Sequence, residues 1–292
     1  MKFLPITILL ILNMVVTSAQ VYKSTYNFID YQRSFPRINQ ALQRVEDNLM
    51  REFQEKGLTW PAKYLYIRSF KYDSQLEVWI KYEKSEPFQL FKTYRVCALS
   101  GKLGPKRMKG DYQVPEGFYY INEFNPNSTY HLSLGLNYPN ASDRILADSL
   151  IPGGDIYIHG SCVTTGCIPI TNDQIEQLYI LASHARNLGQ DFIPVHIFPV
   201  RYDNQKSVQF LNRFLKESPE YVAFNDQLCN AYEYFQQTRR TPLVMVNSST
   251  GSYVLETDRK EIEPVAAVLP PRISGTPHQP NLETSGKTGT AQ

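Results

Sequence analysis

The chain has 292 residues, 42% hydrophobic and 13% aromatic, which is enough for one large domain or two small ones around a sizeable core. A net charge of +2, from 30 Lys and Arg against 28 Asp and Glu, excludes the basic footprint of a nucleic-acid binder and implies no attraction to a membrane surface. Four cysteines are too few for a disulfide scaffold at this length.

The N-terminus reads as an address. Lys2 precedes an apolar run from Phe3 to Leu12 that resumes at Met14 to Val16, and Thr17-Ser18-Ala19 fits a small-x-small cleavage site. Residues 1–19 are therefore expected to be a signal peptide, with Gln20 the mature N-terminus. The run is short and Asn13 interrupts it, so no stable membrane span is predicted. Export places Cys97, Cys162, Cys167 and Cys229 in an oxidising compartment, the periplasm or cell envelope. Three full pairings are open to four cysteines, and spacing does not choose among them.

A helix is expected over residues 30–57, because Phe35, Ile38, Leu42, Val45, Leu49 and Phe53 recur at three- and four-residue steps. Ser34 with Pro36 marks its start and Gly57 its end. It belongs to an N-terminal helical segment, residues 20–59. Strands follow at Tyr64–Arg68, Gln75–Tyr82 and Phe91–Val96, where polar and apolar residues alternate. Lys102 to Gln113, with Lys102, Lys106, Arg107 and Lys109, reads as an exposed basic loop. Further strands are predicted at Gly117–Ile121 and Tyr130–Leu134, the latter holding His131 as an ordinary strand residue. Asn125–Ser128 and Asn137–Ser142 read as turns.

Ile156-Tyr157-Ile158 predicts a short strand ending at His159-Gly160, and Thr165-Gly166-Cys167 follows seven residues after the histidine. Thr171 and Gln174 form a capping-box signature. Ile175, Leu178, Tyr179, Ala182, Ala185 and Leu188 then line one helix face, with Gly189 as its stop. His184 on this helix reads as ordinary. A strand at Ile193–Val200 holds His196. Helices are expected at Ser207–Leu215 and at Glu220–Gln237, the second carrying Cys229 as packed core. A closing hairpin pairs Leu243–Val246 with Tyr253–Leu255. From about Pro264 the composition loosens into a tail, residues 261–292, expected to be disordered. The fold class is α+β, a mostly β domain over residues 60–260 with one helix before it and several helices after Cys167.

The chemistry-bearing stretch is His159 to Cys167. A thiol is a poor nucleophile until it loses its proton, and an imidazole held nearby can accept that proton and return it to a leaving group. Gly166 permits φ > 0 beside the cysteine, and the N–H groups of Gly166 and Cys167 are candidate oxyanion donors. Gly160 and Ser161 shape the loop, and Thr164 or Thr165 is placed to donate a hydrogen bond near the thiol. Cys162 reads either as a buried structural thiol or as one partner in a disulfide.

At these residues the chain resembles the L,D-transpeptidase catalytic domain family (YkuD-type). His159-Gly160 and Thr164-Thr165-Gly166-Cys167 match that family's two motif halves. Thr165 stands where a second histidine is usual, Pro169 stands where an arginine often follows, and the connecting loop is short. The run His159-Gly160-Ser161-Cys162-Val163-Thr164-Thr165-Gly166-Cys167 is similar to the YafK-like branch, which shares these departures. The flanks Pro115–Tyr119, Asn125–Ser128, Tyr138–Ala141, His196–Pro199 and Tyr234–Thr238 extend the likeness over roughly residues 60 to 255.

The resemblance implies a catalytic core of sandwich-type sheets. It implies acyl transfer on peptidoglycan stem peptides through a Cys167 thioester, with His159 as base and acid. The acceptor would be an amine, a wall-attached protein being one candidate, or water, which makes the enzyme a hydrolase. A non-catalytic wall-binding protein on the same fold is the rival reading. A metal site of His159, Cys162, Cys167 and a remote histidine lacks the usual paired ligand spacing, and no metal or organic cofactor is implied.

Overall fold

The computed structural model describes residues 27–256. The predicted signal peptide and the whole of the predicted tail lie outside these residues. Among the described residues no helix is long and apolar enough to cross a membrane.

The predicted first helix is two. A short helix α1 (Phe28–Arg33), capped by Asn27, ends at Ser34. Pro36 then opens α2 (Pro36–Glu55) at a position where its missing N–H is no loss. The apolar stripe read from the sequence is the buried one: Ile38, Leu42, Val45, Leu49 and Phe53 all face the core. Each contributes roughly 1.5–3 kcal/mol on burial, so the stripe alone suffices to dock the helix.

Seven strands and one helix precede the second half: β1 (Tyr64–Phe70), β2 (Gln75–Lys81), β3 (Gln89–Arg95), β4 (Gly117–Asn125), β5 (Ser133–Leu136), α3 (Ala141–Leu146), β6 (Tyr157–His159) and β7 (Ile168–Pro169). After them come α4 (Asn172–Asn187), β8 (Ile193–Phe198), α5 (Gln205–Glu217), α6 (Val222–Thr238), β9 (Leu243–Val246) and β10 (Tyr253–Glu256). The expected sandwich-type sheets are realised as one mixed eight-stranded sheet, β3-β2-β1-β8-β4-β5-β6-β7, and a separate β9–β10 hairpin. Neighbours are antiparallel except β1 with β8 and β6 with β7.

The sheet is covered on both faces, which explains why β1 is buried almost throughout. Leu65 and Ile67 join the cluster formed with α2 and α4. Tyr66 and Phe70 point the other way, onto Tyr232 and Phe235 of α6. Helix α4 begins as predicted, with Thr171 and Gln174 closing a reciprocal capping box.

Four sequence expectations are corrected. His131 lies in a bend before β5 at φ 71°, not in a strand. Residues 141–146, read as part of a turn, form α3 because Asn140 and Asp143 make a capping box of their own. Residues 102–113 are not a solvated loop: Leu103 and Lys106 are buried, and the Gln113 side chain stitches the loop together through Lys102 N and the carbonyls of Lys102, Leu103 and Gly104. Cys229 on α6 is partly exposed rather than packed core.

His196 is an interior residue of β8. Its Nδ1 is 2.7 Å from the Tyr66 hydroxyl, and the Phe118 ring lies 4.7 Å from its own. Burial, reinforced by the Arg68 charge, pushes the imidazole down to about 3. As pH falls below the unfolded value near 6.5, the unfolded chain takes up this proton first, so stability is lost at about 1.4 kcal/mol per pH unit. By pH 5 the site should have removed about 2 kcal/mol relative to pH 8. Denaturant unfolding at both pH values should show a correspondingly smaller loss in His196→Gln. Equal losses in the two proteins would refute the assignment.

Candidate active site

Strand β6 is held by β5, with Ser133 opposite His159 and Leu134 opposite Ile158. Its other edge pairs with β7, Ile158 opposite Ile168 and His159 opposite Pro169. Ile158 and Ile168 are buried in the core. Alternation therefore sets Tyr157 and His159 on the opposite side, together with Cys167, the residue just before Ile168. The motif's two ends are brought onto one side of one sheet edge.

The connection between them is held at several points. A disulfide joins Cys162 to Cys97, 65 residues away, and the Cys97 N–H donates to the Pro169 carbonyl at 3.0 Å. Cys162 is thus a disulfide partner and exposed, not a buried thiol. The Ser161 N–H donates to Asn172 Oδ1 at 3.0 Å, and Ser161 itself sits at φ 61°. The Thr164 hydroxyl donates to the Cys167 carbonyl (2.8 Å) and accepts from the Gly166 N–H (3.1 Å). It therefore shapes the turn and does not meet the thiol. Of the two predicted oxyanion donors, Gly166 N–H is engaged in this way, whereas Cys167 N–H makes no hydrogen bond among the described residues.

Two glycines are required by their surroundings. A Cβ on Gly160 would lie 2.6 Å from Asn172 Oδ1 and 2.9 Å from the Tyr130 carbonyl. Gly166 adopts φ +141° with Gln113 O 3.2 Å from where a Cβ would be, so a side chain is disfavoured twice over.

His159 is 2% exposed, and its Nδ1 lies 2.5 Å from the Gly160 carbonyl. A carbonyl only accepts, so Nδ1 carries the hydrogen and Nε2 holds the free lone pair of the neutral ring. Tyr130 lies over the imidazole at 4.7 Å. Burial pushes the imidazole below its ordinary value, opposed by the Gly160 hydrogen bond. The Tyr130 segment is itself anchored. Neighbouring His131 meets Glu176 through Nε2 at 2.7 Å, and the same carboxylate takes Arg44 of α2 at 2.5 and 3.1 Å. Helix α2 thereby braces the loop that covers the histidine.

The Cys167 sulfur contacts Tyr157 N at 3.4 Å and the Asp155 carbonyl at 3.6 Å. It makes no hydrogen bond to His159, which lies two residues, roughly 7 Å, farther along β6 than Tyr157. Burial pushes the thiol above its ordinary value; the Asp155 carboxylate adds to this, while the Tyr157 N–H and Lys106 oppose it. Thiol and imidazole are therefore both neutral at rest.

The sulfur opens into a cleft of about 560 Å³. One wall is the basic loop, with Lys106, Lys109 and Tyr112; the other is the segment Leu150 to Ile156; Thr165 and Gly166 complete it beside Cys167. Sequence reading gave no site role to Tyr130, Asp155 or Asn172; Tyr130 reaches the site through the pairing of distant segments, whereas Asp155 and Asn172 flank the motif on either side. Among the described residues no group of three or more His, Cys, Asp or Glu side chains could hold a metal ion.

The sequence matches the YkuD family, described as the L,D-transpeptidase catalytic domain, over residues 72–197, a span that includes both cleft walls, His159 and Cys167. It is 35% identical over 209 residues to a protein of Escherichia coli (strain K12) named "Putative L,D-transpeptidase YafK", covering 70% of this chain and 78% of that one. The counterpart in Escherichia coli O157:H7 matches equally. Solved structures are more distant. The helical cell shape determining protein Pgp2 (K307A mutant) from Campylobacter jejuni gives a TM-score of 0.38 at 22% identity, over 61% of each chain. Bdellovibrio bacteriovorus Bd1075 gives 0.35 at 24%, over 61% of this chain and 64% of that one. On its identity and coverage with YafK, and on the domain matched over the cleft, the chain belongs to the YkuD family of L,D-transpeptidase catalytic domains.

Proposed function

We propose that this protein is an exported cysteine acyltransferase that acts on peptidoglycan stem peptides, with Cys167 as nucleophile and His159 as general base and acid. The observation that carries the reading is a free thiol opening into the cleft, on the same side of the sheet edge as an imidazole whose Nε2 is left unprotonated by the Nδ1 bond to Gly160. On substrate entry the thiol turns about χ1 from the Asp155 carbonyl toward Nε2. Catalytic hydrogen bonds of this kind often tighten only in the substrate complex.

Sulfur attacks the stem-peptide carbonyl as its proton passes to Nε2. Negative charge collects on the carbonyl oxygen, where the Cys167 N–H is the available donor. The C–N bond breaks, the departing amine takes the proton from the imidazolium, and a thioester is left on Cys167. An acceptor amine or water then attacks the thioester, His159 taking its proton, and the thiol is regenerated.

Mass spectrometry of purified peptidoglycan fragments tests the reading. Loss of a terminal residue with gain of a new amide is the expected product; a gain of water identifies a hydrolase on the same dyad. Unchanged fragments across a set of stem peptides would favour a wall-binding protein and overturn the catalytic reading.

A further inference from the structure

The bond from Nδ1 to Gly160 pins one atom of the His159 ring, and a ring pinned at one atom can still tilt. The Tyr130 ring stands against it, centroids 4.7 Å and planes 33° apart. Tyr130 is itself 46% exposed, and its hydroxyl makes no hydrogen bond among the described residues. Its place is therefore set by the backbone on either side. Arg37, in the first turn of α2, donates from Nη1 to the Ser128 carbonyl at 2.8 Å and to the His131 carbonyl. One guanidinium nitrogen thus ties together the two sides of the bend that carries Tyr130. The Tyr130 N–H donates to Ser128 Oγ at 3.1 Å, and Ser128 is buried. His131, at φ 71°, is held through Glu176 of α4 by Arg44, which lies about two turns beyond Arg37 on the same face of α2. Both arginines stand before residue 72, where the span matched to the family begins.

We propose that Tyr130 is a positioning residue for His159 and that Arg37 of α2 holds it there, so that a helix outside the matched span sets the aim of the general base. The ring exchanges no proton. It closes one side of the imidazole, which restricts both its tilt and the entry of water. The groups facing the imidazole are few: Tyr130 from the segment before β5, the Gly160 carbonyl from its own turn, and the Cys167 thiol on the same side of the sheet edge. No ion pair reaches it among the described residues. Burial, not charge, therefore holds the imidazole below its ordinary value, against the Gly160 hydrogen bond. Tyr130 is the part of that cover that faces water. The assignment rests on the acyl-transfer reading for its effect on rate, but not for its effect on the ring.

Tyr130→Ala, Tyr130→Phe and Arg37→Met are compared with the native protein in two measurements. One is an NMR titration of the His159 ring protons without substrate, the signals assigned by their loss in His159→Gln. The other is kcat against pH on stem peptides. In Tyr130→Ala water reaches the ring, so the titration should move up toward the ordinary value near 6.5, and the acid limb of kcat with it. There kcat should fall about ten- to a hundredfold while KM stays within about twofold. Arg37→Met should act in the same direction and less strongly. Tyr130→Phe keeps the ring and should restore native behaviour. A variant that only folded less well would lose active protein without moving the titration. An unmoved titration in Tyr130→Ala would thus overturn the proposal, and so would native kcat in that variant or equal damage in Tyr130→Phe. Native behaviour of Arg37→Met would overturn the part assigned to α2. A moved titration in a protein whose native form turns over no stem peptide would sink acyl transfer and leave the hold on His159 standing.

Discussion

Cys167→Ala is expected to abolish stem-peptide turnover, a fall of at least about 10⁴, because no other group can form the thioester. His159→Ala should be less complete, costing about 10²–10⁴ in kcat, since general-base help is lost while the sulfur remains. The pH profiles distinguish these roles. In the native protein the imidazole is held low and the thiol high, so the neutral pair persists across neutral pH. The native rate should be flat there and fall only on the acid side, below the ordinary histidine value near 6.5, as His159 takes up a proton. Without His159 the enzyme depends on spontaneous thiolate, whose fraction rises about tenfold per pH unit up to the thiol's own raised value. A His159→Ala profile as flat as the native one would remove His159 from the mechanism, and product formation by Cys167→Ala would remove Cys167.

The second large effect is on stability, on the face of the sheet covered by α6. Arg68 is 1% exposed, packed among the rings of Trp79, Tyr232 and Phe235, and its Nη1 has no hydrogen-bond partner among the described residues. Its charge is balanced by Glu77, 2% exposed, whose Oε2 accepts from Arg68 at 2.9 and 2.6 Å and from Trp79 Nε1 at 2.8 Å, while Oε1 takes Arg201. Glu77→Leu strands a buried guanidinium and should cost about 3–5 kcal/mol. Removing the guanidinium as well should recover part of this, so Arg68→Leu/Glu77→Leu is expected to be more stable than Glu77→Leu alone. Guanidinium-induced unfolding of the three variants decides it, and a double variant no better than Glu77→Leu would show that the pair is not the source of the effect.

Much of this was legible in the sequence because periodicity reports burial. The stripe of α2, the capping box of α4 and the β9–β10 hairpin needed only local patterns. His159 and Cys167 were legible because both ends of the motif lie within nine residues of chain. What sequence could not supply came from distant pairing. Tyr130 reaches His159 only because β5 lies beside β6, and Lys106 comes to line the cleft only because the loop at 102–113 is stitched together by Gln113. The basic run looked solvated since charge count does not show that Lys106 and Asp111 neutralise each other. The partner of Cys162 was undecidable because three pairings fit the same four positions.

The pairing of Cys97 with Cys162 also sets a problem of order. Cys167 stands five residues beyond Cys162, whereas Cys97 stands 65 residues before it. In a fully reduced, unfolded chain the short closure is favoured over the long one by about 2 kcal/mol of loop entropy, and it would consume the thiol that the proposed reaction needs. A chain that meets its oxidant N-terminus first presents Cys97 and then Cys162 before Cys167 arrives. The sequence of arrival thus opposes the entropy of closure, and the sulfur left over is the one in the cleft.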